Sequence, residues 1–574
     1  MVTTLPRNSE VAERFELLAD LFEIEGAQSY RVLAYRRAAT RIRETASPVA
    51  ELALAGRARE LPGVGRTIEE KIVQLVQDGE IAALRSRKER VPPELIAFLR
   101  LPGLGPKTVR RIWEELGITS LADLRSAAAE QRLRALPGLG PKTEDNILRA
   151  LSREETAAEP ERTLLGKALP AVRGVVEELR GLSELDRISE AGAVRRRRET
   201  VRDIDLIATA SDPAAVTDHF VRHEAVAEVA AHGPTKAAVV WHNGLRFDLR
   251  VVPPECYGNL LQHFTGSKDH NVALREQAVR DGLKVSEYGI EVVETRELHT
   301  SEDEQGVYER LGYAYIPPEL RENLGELEAA RRGELPSLVE VGDLRGDLHM
   351  HSTWSSDADH SLEEMAKAAT SRGYDYVAVT DHAHYLRGGR FHVQGEEIEA
   401  LNEGLAPFRI LRGIEVSIGL DGSLDAPDED LSECDWVIAS LHRAFDTNPT
   451  ERVLAAMEHP RVDIIGHPTA RKLGRRPGAD LDLDRVVSKG LETGTLLEIN
   501  SQPDRLDLRD SHARAAAEAG LPIVVSTDAH RIPELAHVEY GVAQARRAWL
   551  TKDQVLNTRS WREIHALLGK AEKR

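Results

Sequence analysis

Three aspartates in two apolar segments form the first group of residues whose spacing suggests chemistry. Asp203 and Asp205 stand two apart in Val201-Arg-Asp-Ile-Asp-Leu-Ile-Ala208, and Asp248 lies in Leu245-Arg-Phe-Asp-Leu-Arg-Val-Val252. Alternate residues of a β-strand point to the same face, so the first two would project side by side and the third could join them from a neighbouring strand. Carboxylates that converge on one point repel each other unless cations lie between them. The trio therefore predicts a site for two Mg²⁺ or Mn²⁺ ions around a phosphate.

Histidines and acids that follow short apolar segments form a second group. Thirteen of the 20 histidines lie beyond residue 345, for example in Asp347-Leu-His-Met-His351, Thr380-Asp-His382 and Ser526-Thr-Asp-Ala-His530. Side chains at the carboxyl ends of barrel strands point into one opening. Mixed imidazole and carboxylate ligands suit Zn²⁺ or Mn²⁺. The pattern predicts a site for Zn²⁺ or Mn²⁺ at the mouth of a barrel.

A third pattern is the repeat Leu-Pro-Gly-x-Gly, which begins at Leu61, Leu101 and Leu136 and each time precedes a helical pattern. The glycines allow a tight turn, so that backbone N–H groups at the start of the next helix can face a phosphate. Such contacts bind a nucleic-acid backbone without reading its sequence, and three ordinary helix-connecting turns are the alternative. The residues predicted to bind DNA are Gly63, Gly65, Gly103, Gly105, Lys107, Gly138, Gly140 and Lys142.

The composition is that of a soluble globular protein, with 574 residues, 41% hydrophobic and 30% charged, and a formal net charge of −19. Residues 1–150 carry 24 lysines and arginines against 21 acids, whereas the remaining residues carry 52 against 74. Because local patches decide contacts with nucleic acid, the net charge does not exclude DNA binding. Two cysteines cannot form a disulfide framework, and no apolar stretch approaches the roughly 18 residues of a membrane helix. We expect a cytoplasmic, nucleoid-associated protein without membrane contact.

The elements that must position these residues change along the chain, and the length predicts several domains. Residues 1–150 are helical, with a boundary near residue 85, and residues 152–162 are polar. Residues 151–257 are strand-rich and contain the three aspartates, and residues 258–325 are mixed. After a linker at 326–345, residues 346–574 alternate short apolar runs with helical patterns, which indicates βα units and a barrel. The expected fold class is multidomain, α+β followed by α/β.

Residues 1 to about 325 resemble a family X DNA polymerase. The resemblance rests on the hairpins, on Gly192-x-x-Arg-Arg196 before Asp203-x-Asp205, on Arg246-x-Asp248-x-Arg250 and on Phe264-Thr-Gly-Ser267. It implies a small N-terminal domain at 1–85, fingers at 86–150, a palm with a mixed or antiparallel sheet at 151–257 and a thumb at 258–325. It also implies nucleotide transfer from a dNTP to a primer 3′-hydroxyl.

The resemblance assigns a role to each matching residue. Asp203 and Asp205 would bind both metals, and Asp248 would bind the catalytic metal and help to deprotonate the 3′-hydroxyl. The nucleotide-binding residues would be Gly192, Arg196, Arg202, Phe264, Gly266 and Lys268.

Three departures from the family pattern concern the nucleotide. Ala193 replaces a serine that donates a hydrogen bond to the triphosphate, and His263 stands where a tyrosine is common. Arg202 replaces a glycine and would either contact a phosphate or crowd the site. We expect weaker dNTP binding, partly offset by Arg202.

Lys71, which follows the first hairpin, matches the Schiff-base lysine of those relatives that have deoxyribose-phosphate lyase activity. A Schiff base requires a neutral amine. A surface lysine on an amphipathic helix is the equal alternative.

Residues from about 340 to 574 resemble the polymerase-and-histidinol-phosphatase (PHP) domain, a distorted (βα)7 barrel. The resemblance implies up to three Zn²⁺ or Mn²⁺ ions and 3′–5′ exonuclease, abasic-site endonuclease or 3′-phosphatase activity. The nine implied ligands are His349, His351, Asp357, His382, Glu415, His442, His467, Asp528 and His530. One residue is inserted relative to the family pattern, so Asp357 or Asp359 could be the third of them.

The leading hypothesis is a monomeric repair enzyme that fills gaps and processes 3′ ends, with gapped or primer-template DNA and dNTPs as partners. The alternative is a DNA-processing nuclease whose polymerase half docks DNA and synthesises weakly. A third hypothesis, a non-enzymatic DNA scaffold, is disfavoured because both ligand sets persist.

Overall fold

The structure is a computed structural model that describes residues 5–6, 8–45, 48–61, 63–101, 104–136, 139–140, 144, 147–148 and 162–567. The chain divides into two compact units, Met1–Glu161 and Arg162–Arg574. Among the helices in the described ranges, none is both long and apolar enough to cross a membrane.

The first unit is helical. Its described α-helices are α1 (Asn8–Ile24), α2 (Ser29–Glu44), α3 (Val49–Leu54), α4 (Arg66–Asp78), α5 (Ala82–Lys88), α6 (Pro106–Leu116) and α7 (Leu121–Ala129), with 3₁₀ turns at Ala58–Glu60, Pro93–Arg100 and Leu133–Ala135. Apolar residues at helical spacing form one core that includes the fully buried Phe15, Ile72 and Phe98. Glycines in the left-handed conformation end α4 at Gly79 and α6 at Gly117.

The second unit begins with a five-stranded mixed sheet and continues with a small three-stranded sheet. Its first strands are β1 (Thr163–Leu164), β2 (Leu185–Glu190), β3 (Thr200–Val201), β4 (Asp203–Ala210), β5 (Val226–His232), β6 (Lys236–Trp241), β7 (Arg246–Val251), β8 (Leu283–Ser286), β9 (Gly289–Val292) and β10 (Leu298–His299). The accompanying helices are α8 (Leu165–Arg180), α9 (Gly192–Arg195), α10 (Pro213–Phe220), α11 (Tyr257–Thr265), α12 (Lys268–Arg280), α13 (Glu304–Arg310) and α14 (Glu326–Arg332).

The mixed sheet has the strand order β2-β4-β7-β6-β5, and β4 and β7 run parallel while the other neighbours run antiparallel. Side chains alternate along β4. Ile204 and Leu206 are buried in the core under α8, whereas Asp203 and Asp205 lie on the other face and are only half-buried. The sheet therefore presents its acids away from its apolar core.

The barrel that follows has seven parallel strands in chain order: β11 (Gly346–Met350), β12 (Tyr376–Val379), β13 (Arg409–Ser417), β14 (Trp436–Ser440), β15 (Ile464–Gly466), β16 (Leu496–Asn500) and β17 (Ile523–Ser526). The helices that accompany it are α15 (Leu362–Ser371), α16 (Arg390–Leu405), α17 (Asp428–Glu433), α18 (Pro449–Met457), α19 (Leu483–Thr493), α20 (Asp510–Glu518), α21 (Val538–Arg547) and α22 (Trp561–Leu567). The ring closes where Asp528 N–H donates to the His349 carbonyl and His351 N–H donates to the Ala529 carbonyl, both at 2.8 Å. The expected α+β and α/β class, with a (βα)7 barrel, is confirmed.

Apolar contacts join the barrel to the two sheets. Leu506 and Tyr540 of the barrel segment belong to the buried core of the mixed sheet, and Trp549 packs against the core of the small sheet. The barrel and the two sheets therefore share hydrophobic cores.

Candidate metal centres

The first candidate centre lies where β4 and β7 begin side by side. The strand register pairs Asp205 directly with Asp248, and Asp203 precedes on the same face of β4. Gly192 at the start of α9 has a φ of +64°, and a Cβ atom there would lie 2.7 Å from Asp205 Oδ2. A glycine is therefore required for α9 to approach the carboxylate this closely.

The electrostatics of this centre favour bound cations. Burial, together with the neighbouring charges of Asp248 and Asp203, raises the pKa of Asp205 to about 6. Like charges this close disfavour a second ionised carboxylate. Oxygen donors in this number suit Mg²⁺ or Mn²⁺, so the three residues fit divalent ions of that class.

Some of the residues expected to bind a nucleotide lie near Asp205: Gly192 approaches both its carboxylate and the Phe264 carbonyl, and Arg196 is close enough to lower its pKa. Arg196 Nε lies 3.1 Å from Glu322 Oε1, and its guanidinium also donates to the Thr265 carbonyl. The ring of Phe264 lies 4.4 Å below the Arg250 guanidinium carbon.

The loop that follows Phe264 completes the surroundings of Arg196. Gly266 has a φ of +70°, which favours glycine, and a Cβ atom there would lie 3.1 Å from Arg196 Nη1, so the loop passes close to this guanidinium. Lys268 is exposed at the start of α12. Arg202 is mostly exposed, with Nε 3.8 Å from Asp203 Oδ2, and so lies beside the acids.

The second candidate centre lies at the carboxyl ends of the barrel strands, around Glu415. The buried carboxylate of Glu415 faces imidazoles from several strands. The nearest nitrogen–oxygen distances are 3.6 Å to His349, 3.7 Å to His351, 2.8 Å to His382, 3.2 Å to His442 and 3.2 Å to His467. Glu415 and these imidazoles would together hold divalent ions.

Two further acids complete the ring of donors. Asp528 Oδ1 lies 3.4 Å from His349 Nε2 and 3.2 Å from His351 Nε2. Asp357 Oδ2 lies 3.5 Å from His382 Nε2 and 3.6 Å from His530 Nε2. All nine expected ligands therefore face one another.

The two alternatives for the inserted position differ in their surroundings. The carboxylate of Asp359 turns to Arg531, with an Oδ2–Nε distance of 3.1 Å. Asp357 is the one that faces the imidazoles.

The donor atoms of this cluster fit metal ions. Several buried atoms have no hydrogen bond of acceptable geometry within the described chain, among them His349 Nε2, both ring nitrogens of His351, Glu415 Oε2 and His467 Nδ1. There are three groups of three residues in which each residue offers one donor atom. Within each group, these atoms lie within 4.8 Å of one another. Buried polar atoms normally have partners, and a metal supplies one for the atoms directed at the centre.

The charges in the cluster depend on one another. Burial alone would lower the pKa of His382, but Glu415 and Asp357 raise it to about 10, so this imidazole takes up a proton when no cation is near. Burial and the neighbouring His530 and His382 lower the pKa of His351 to about 3. A bound divalent ion would replace the proton on His382.

Further acids behind the expected ligands orient them, and these acids were not predicted from the sequence. Glu498 Oε1 lies 2.7 Å from His349 Nδ1, while its other oxygen accepts from the His467 backbone N–H at 2.5 Å. Asp347 Oδ1 accepts from the His349 backbone N–H at 3.2 Å. Glu498 lies in the fully buried strand β16. An acid in a buried strand is the sequence feature that could have identified it, because a buried charge needs a partner.

Two ligands also adopt backbone conformations that are rare for residues other than glycine. The φ angles of His467 and Asp528 are +29° and +52°. Such strained positions persist where the surrounding structure fixes them and concentrate at functional sites.

The hairpins of the first unit place glycines directly before helices. Gly65 precedes α4 and Gly105 precedes α6, and both are exposed, as is Gly140. Gly63 has a φ of +84°, and Lys107 is exposed in the first turn of α6. Gly103, Gly138 and Lys142 lie outside the described residues.

Two of the hairpins contain a buried acid four residues after the second glycine. Glu69 accepts from the Arg59 backbone N–H at 3.1 Å, and Glu144 accepts from the Leu133 backbone N–H at 3.0 Å. The middle hairpin has the buried Val109 at this position. The three copies, alike in sequence, therefore differ in how the turn before the glycines is held.

Lys71 is half-buried on α4, and its Nζ lies 6.0 Å from the centroid of the Tyr35 ring. An ammonium group at this distance is attracted by the face of the ring. The contact is compatible with both a lyase lysine and a surface lysine.

Family models match segments of each region. A helix-hairpin-helix domain matches residues 6–81, and a SAM-like helix-hairpin-helix tandem matches residues 95–153. A DNA polymerase beta thumb matches residues 260–322, and a PHP domain matches residues 347–501.

Curated proteins resemble the chain over different lengths. DNA polymerase/3′-5′ exonuclease PolX of Bacillus subtilis (strain 168) is 38% identical over 572 residues, which cover 97% of this chain and 99% of that protein. A probable phosphatase of Thermoanaerobacter sp. (strain X514) is 31% identical over 225 residues, which cover 37% of this chain and 89% of that protein. A probable phosphatase of Acetivibrio thermocellus is 31% identical over 196 residues, which cover 32% and 78%.

The Glu498→Gln variant should bind metal in the barrel more weakly by about 10- to 100-fold, the usual effect of losing a partner of a metal-ligating histidine. The two oxygens of Glu498 contact the His349 ring and the His467 N–H. A glutamine must direct its NH2 group at one of these two partners, so one hydrogen bond is lost. Metal content after equilibrium dialysis against graded free Zn²⁺ or Mn²⁺ measures the affinity. Glu492→Gln, an exposed change on α19, is the control, and equal affinities in the two variants would contradict the role of Glu498.

Proposed function

The chain belongs to the PolX family of DNA polymerases with a C-terminal PHP domain, and on this premise we propose that it is a DNA polymerase with a metal-dependent 3′–5′ exonuclease in its barrel. One observation carries the polymerase part. Asp205 and Asp248 stand in register on adjacent parallel strands, with Asp203 on the same face and Gly192 close to Asp205. This arrangement supports two-metal phosphoryl transfer.

The residues of the mixed sheet would perform the transfer mainly by positioning and charge. Asp203, Asp205 and Asp248 would hold two Mg²⁺ or Mn²⁺ ions, which when bound neutralise the triphosphate and the developing charge of the transition state. Arg196 would exchange the Glu322 carboxylate for the triphosphate. Asp248 would accept the proton of the primer 3′-hydroxyl.

The neighbouring residues would complete the nucleotide pocket. Phe264 and Gly266 would line the sugar, with Phe264 held by the Arg250 guanidinium on its face. Lys268 is exposed at the start of α12 and long enough to reach a phosphate. Gly192 keeps α9 close to the acids.

The barrel would hydrolyse phosphodiesters. Its nine donors would hold up to three Zn²⁺ or Mn²⁺ ions, which when bound provide a hydroxide nucleophile and neutralise the phosphate. Glu498 fixes the His349 ring through its Nδ1 atom, and Ser417 Oγ lies 3.0 Å from His442 Nδ1 and fixes that ring. The ligands are thereby oriented before a substrate arrives.

The finer role we propose is DNA repair. Short gaps or primer-template junctions would be bound through the exposed hairpin glycines and Lys107, and dNTPs would be the second substrate. The resemblance to probable phosphatases supports removal of a 3′-phosphate in addition to exonuclease and abasic-site cleavage. We further propose a monomer that acts in the cytoplasm at the nucleoid.

A second candidate is a nuclease whose polymerase half docks DNA and synthesises weakly. Ala193, which cannot donate a side-chain hydrogen bond, favours it, as does the engagement of Arg196 by Glu322. The two candidates differ in the strength of dNTP binding rather than in the residues that hold metal.

Substitutions at the two centres should separate the activities. Asp205→Asn should reduce primer extension by at least about 100-fold and leave 3′–5′ digestion unchanged, because a metal clamp is worth several kcal/mol to one reaction only. His351→Asn should do the reverse. Gel assays of extension and digestion on one labelled primer-template measure both, with Asp218→Asn and His459→Gln as controls outside the centres. If Asp205→Asn left extension intact, the assignment of the mixed-sheet centre would fail.

Ala193→Ser should lower the apparent KM for dNTP by about 10-fold, the order expected for one hydrogen bond to a charged phosphate. Steady-state single-nucleotide extension measures it. Ala214→Ser on the exposed start of α10 is the matched control. An unchanged KM would count against the view that Ala193 weakens the nucleotide pocket.

Borohydride should trap the chain covalently on abasic-site DNA if Lys71 is a lyase nucleophile, because reduction of its Schiff base is irreversible. EDTA in the reaction removes divalent ions and so prevents cleavage of the DNA by the barrel. The trapped band should disappear in Lys71→Ala and persist in Lys88→Ala, in which another half-buried lysine of the first unit is removed. Trapping that survives Lys71→Ala would assign the chemistry to another amine.

A further inference from the structure

The segment Arg195–Glu199, here the 195–199 loop, runs from the last residue of α9 to the start of β3 and contains Arg196. Side chains from the barrel hold it at two points. Arg547 Nη1 donates to the Arg196 carbonyl at 2.9 Å. At the other end, Arg471 Nη2 and Gln544 Nε2 both donate to Glu199 Oε1, at 2.5 Å and 2.9 Å.

Glu322 connects the same two arginines. Its Oε1 atom lies 3.1 Å from Arg196 Nε and 3.0 Å from Arg547 Nη1. The second terminal nitrogen of Arg547 donates to Asp510 Oδ2 at 2.6 Å. One carboxylate oxygen is therefore shared by the arginine expected to bind the triphosphate and by an arginine of the barrel segment.

The side chains that form these contacts are largely buried. The side chain of Arg547 is 2% exposed and those of Arg196 and Glu322 are 13% and 15% exposed. Burial alone would raise the pKa of Glu322, but Arg547, Arg196 and Arg198 lower it, which keeps this carboxylate ionised. A buried carboxylate that loses its partners is costly, so Glu322 cannot release Arg196 unless another cation stays with it.

We propose that Arg547 is a positioning residue of the polymerase reaction, in which it fixes the 195–199 loop and retains Glu322 when Arg196 turns to the incoming triphosphate. The inference rests on the proposed polymerase function and names a part of the barrel segment that serves it. Arg547 acts on the reacting atoms indirectly, through Arg196 and Glu322. Without it, the cations left beside Glu322 Oε1 in the described contacts would be Arg196 at 3.1 Å and the more exposed Arg198 at 3.9 Å, and the triphosphate would have to compete for Arg196.

A purely adhesive role, in which Arg547 only attaches the barrel to the two sheets, gives a different expectation. The neighbouring Arg546 has such a role, because its Nε donates to Glu319 Oε1 at 2.8 Å and its Nη1 donates to the Val339 carbonyl at 3.1 Å. Arg546 is bonded to neither Arg196 nor Glu322 in the described contacts. The two arginines are adjacent on α21, so they form a matched pair.

The test is steady-state single-nucleotide extension by the full chain, with dNTP concentration varied and digestion by the barrel measured in parallel. Arg547→Met keeps the apolar stem and should raise the KM for dNTP about 10-fold, the order expected for lost charged hydrogen bonds, while kcat and digestion stay within about twofold. Arg547→Lys should give an intermediate KM, because one ammonium group cannot reach three acceptors. Arg546→Met should leave KM unchanged.

Glu322→Gln provides a second, independent arm. Removing the charge frees Arg196, so the KM for dNTP should be no higher than that of the unmodified chain. Adding Arg547→Met to Glu322→Gln should then raise KM by no more than about threefold, a non-additive result that identifies Glu322 as the intermediary.

Several results would overturn the proposal. They are a KM for Arg547→Met within twofold of the unmodified value, an equal rise in Arg546→Met, or a fully additive double variant. If Arg547→Met fails to fold, an unchanged KM for dNTP in Arg547→Lys would overturn the proposal instead. A failure of the polymerase function itself is distinguishable, because the unmodified chain would then not extend a primer, and both proposals would fall.

Discussion

Carboxylates that the backbone holds where their negative charge must be neutralised are the constraint on which both centres depend. In the mixed sheet, the parallel register of β4 and β7 places Asp205 opposite Asp248, and neither can move away without breaking the strand pairing. In the barrel, Glu415 and Asp528 are nearly fully buried among imidazoles. In both places the backbone fixes the acids and leaves divalent cations or protons as the means of neutralising them.

The two centres meet this constraint with different donors. The mixed sheet offers oxygen donors alone and a raised pKa at Asp205, which suits hard ions brought in with a triphosphate. The barrel surrounds its acids with histidines that are themselves oriented by Glu498 and Ser417, which suits ions that stay in place. In the proposed function, this difference in donor chemistry would separate an exchanging metal site for synthesis from a resident site for hydrolysis.

The sequence predicts the ligands better than the groups that hold them. Strand periodicity, together with family resemblance, was sufficient to predict that Asp203, Asp205 and Asp248 come together and that the histidines and acids of the barrel do so too, because acids and histidines at strand ends are local signals. Glu498 was missed because its significance depends on His349, which lies 149 positions away in the chain. Glu322 and Arg547 were missed for the same reason, since no periodicity relates residues 225 positions apart. The fold class could be predicted because βα alternation is also a local pattern.

The long-range contacts also explain why the barrel and the mixed sheet should not be regarded as independent enzymes on one chain. The barrel contributes Leu506 and Tyr540 to the core of the mixed sheet, and its segment supplies Arg471, Gln544 and Arg547 to the 195–199 loop. A loop that binds a triphosphate must be stiff enough to orient it, and arginine-rich loops repel themselves unless acids intervene. Glu199 and Glu322 supply those acids, but buried acids in turn need cations that stay when the substrate arrives. The barrel segment provides such cations, so in the proposed function its fusion to the mixed sheet would have a physical use in synthesis that is separate from its own metal chemistry.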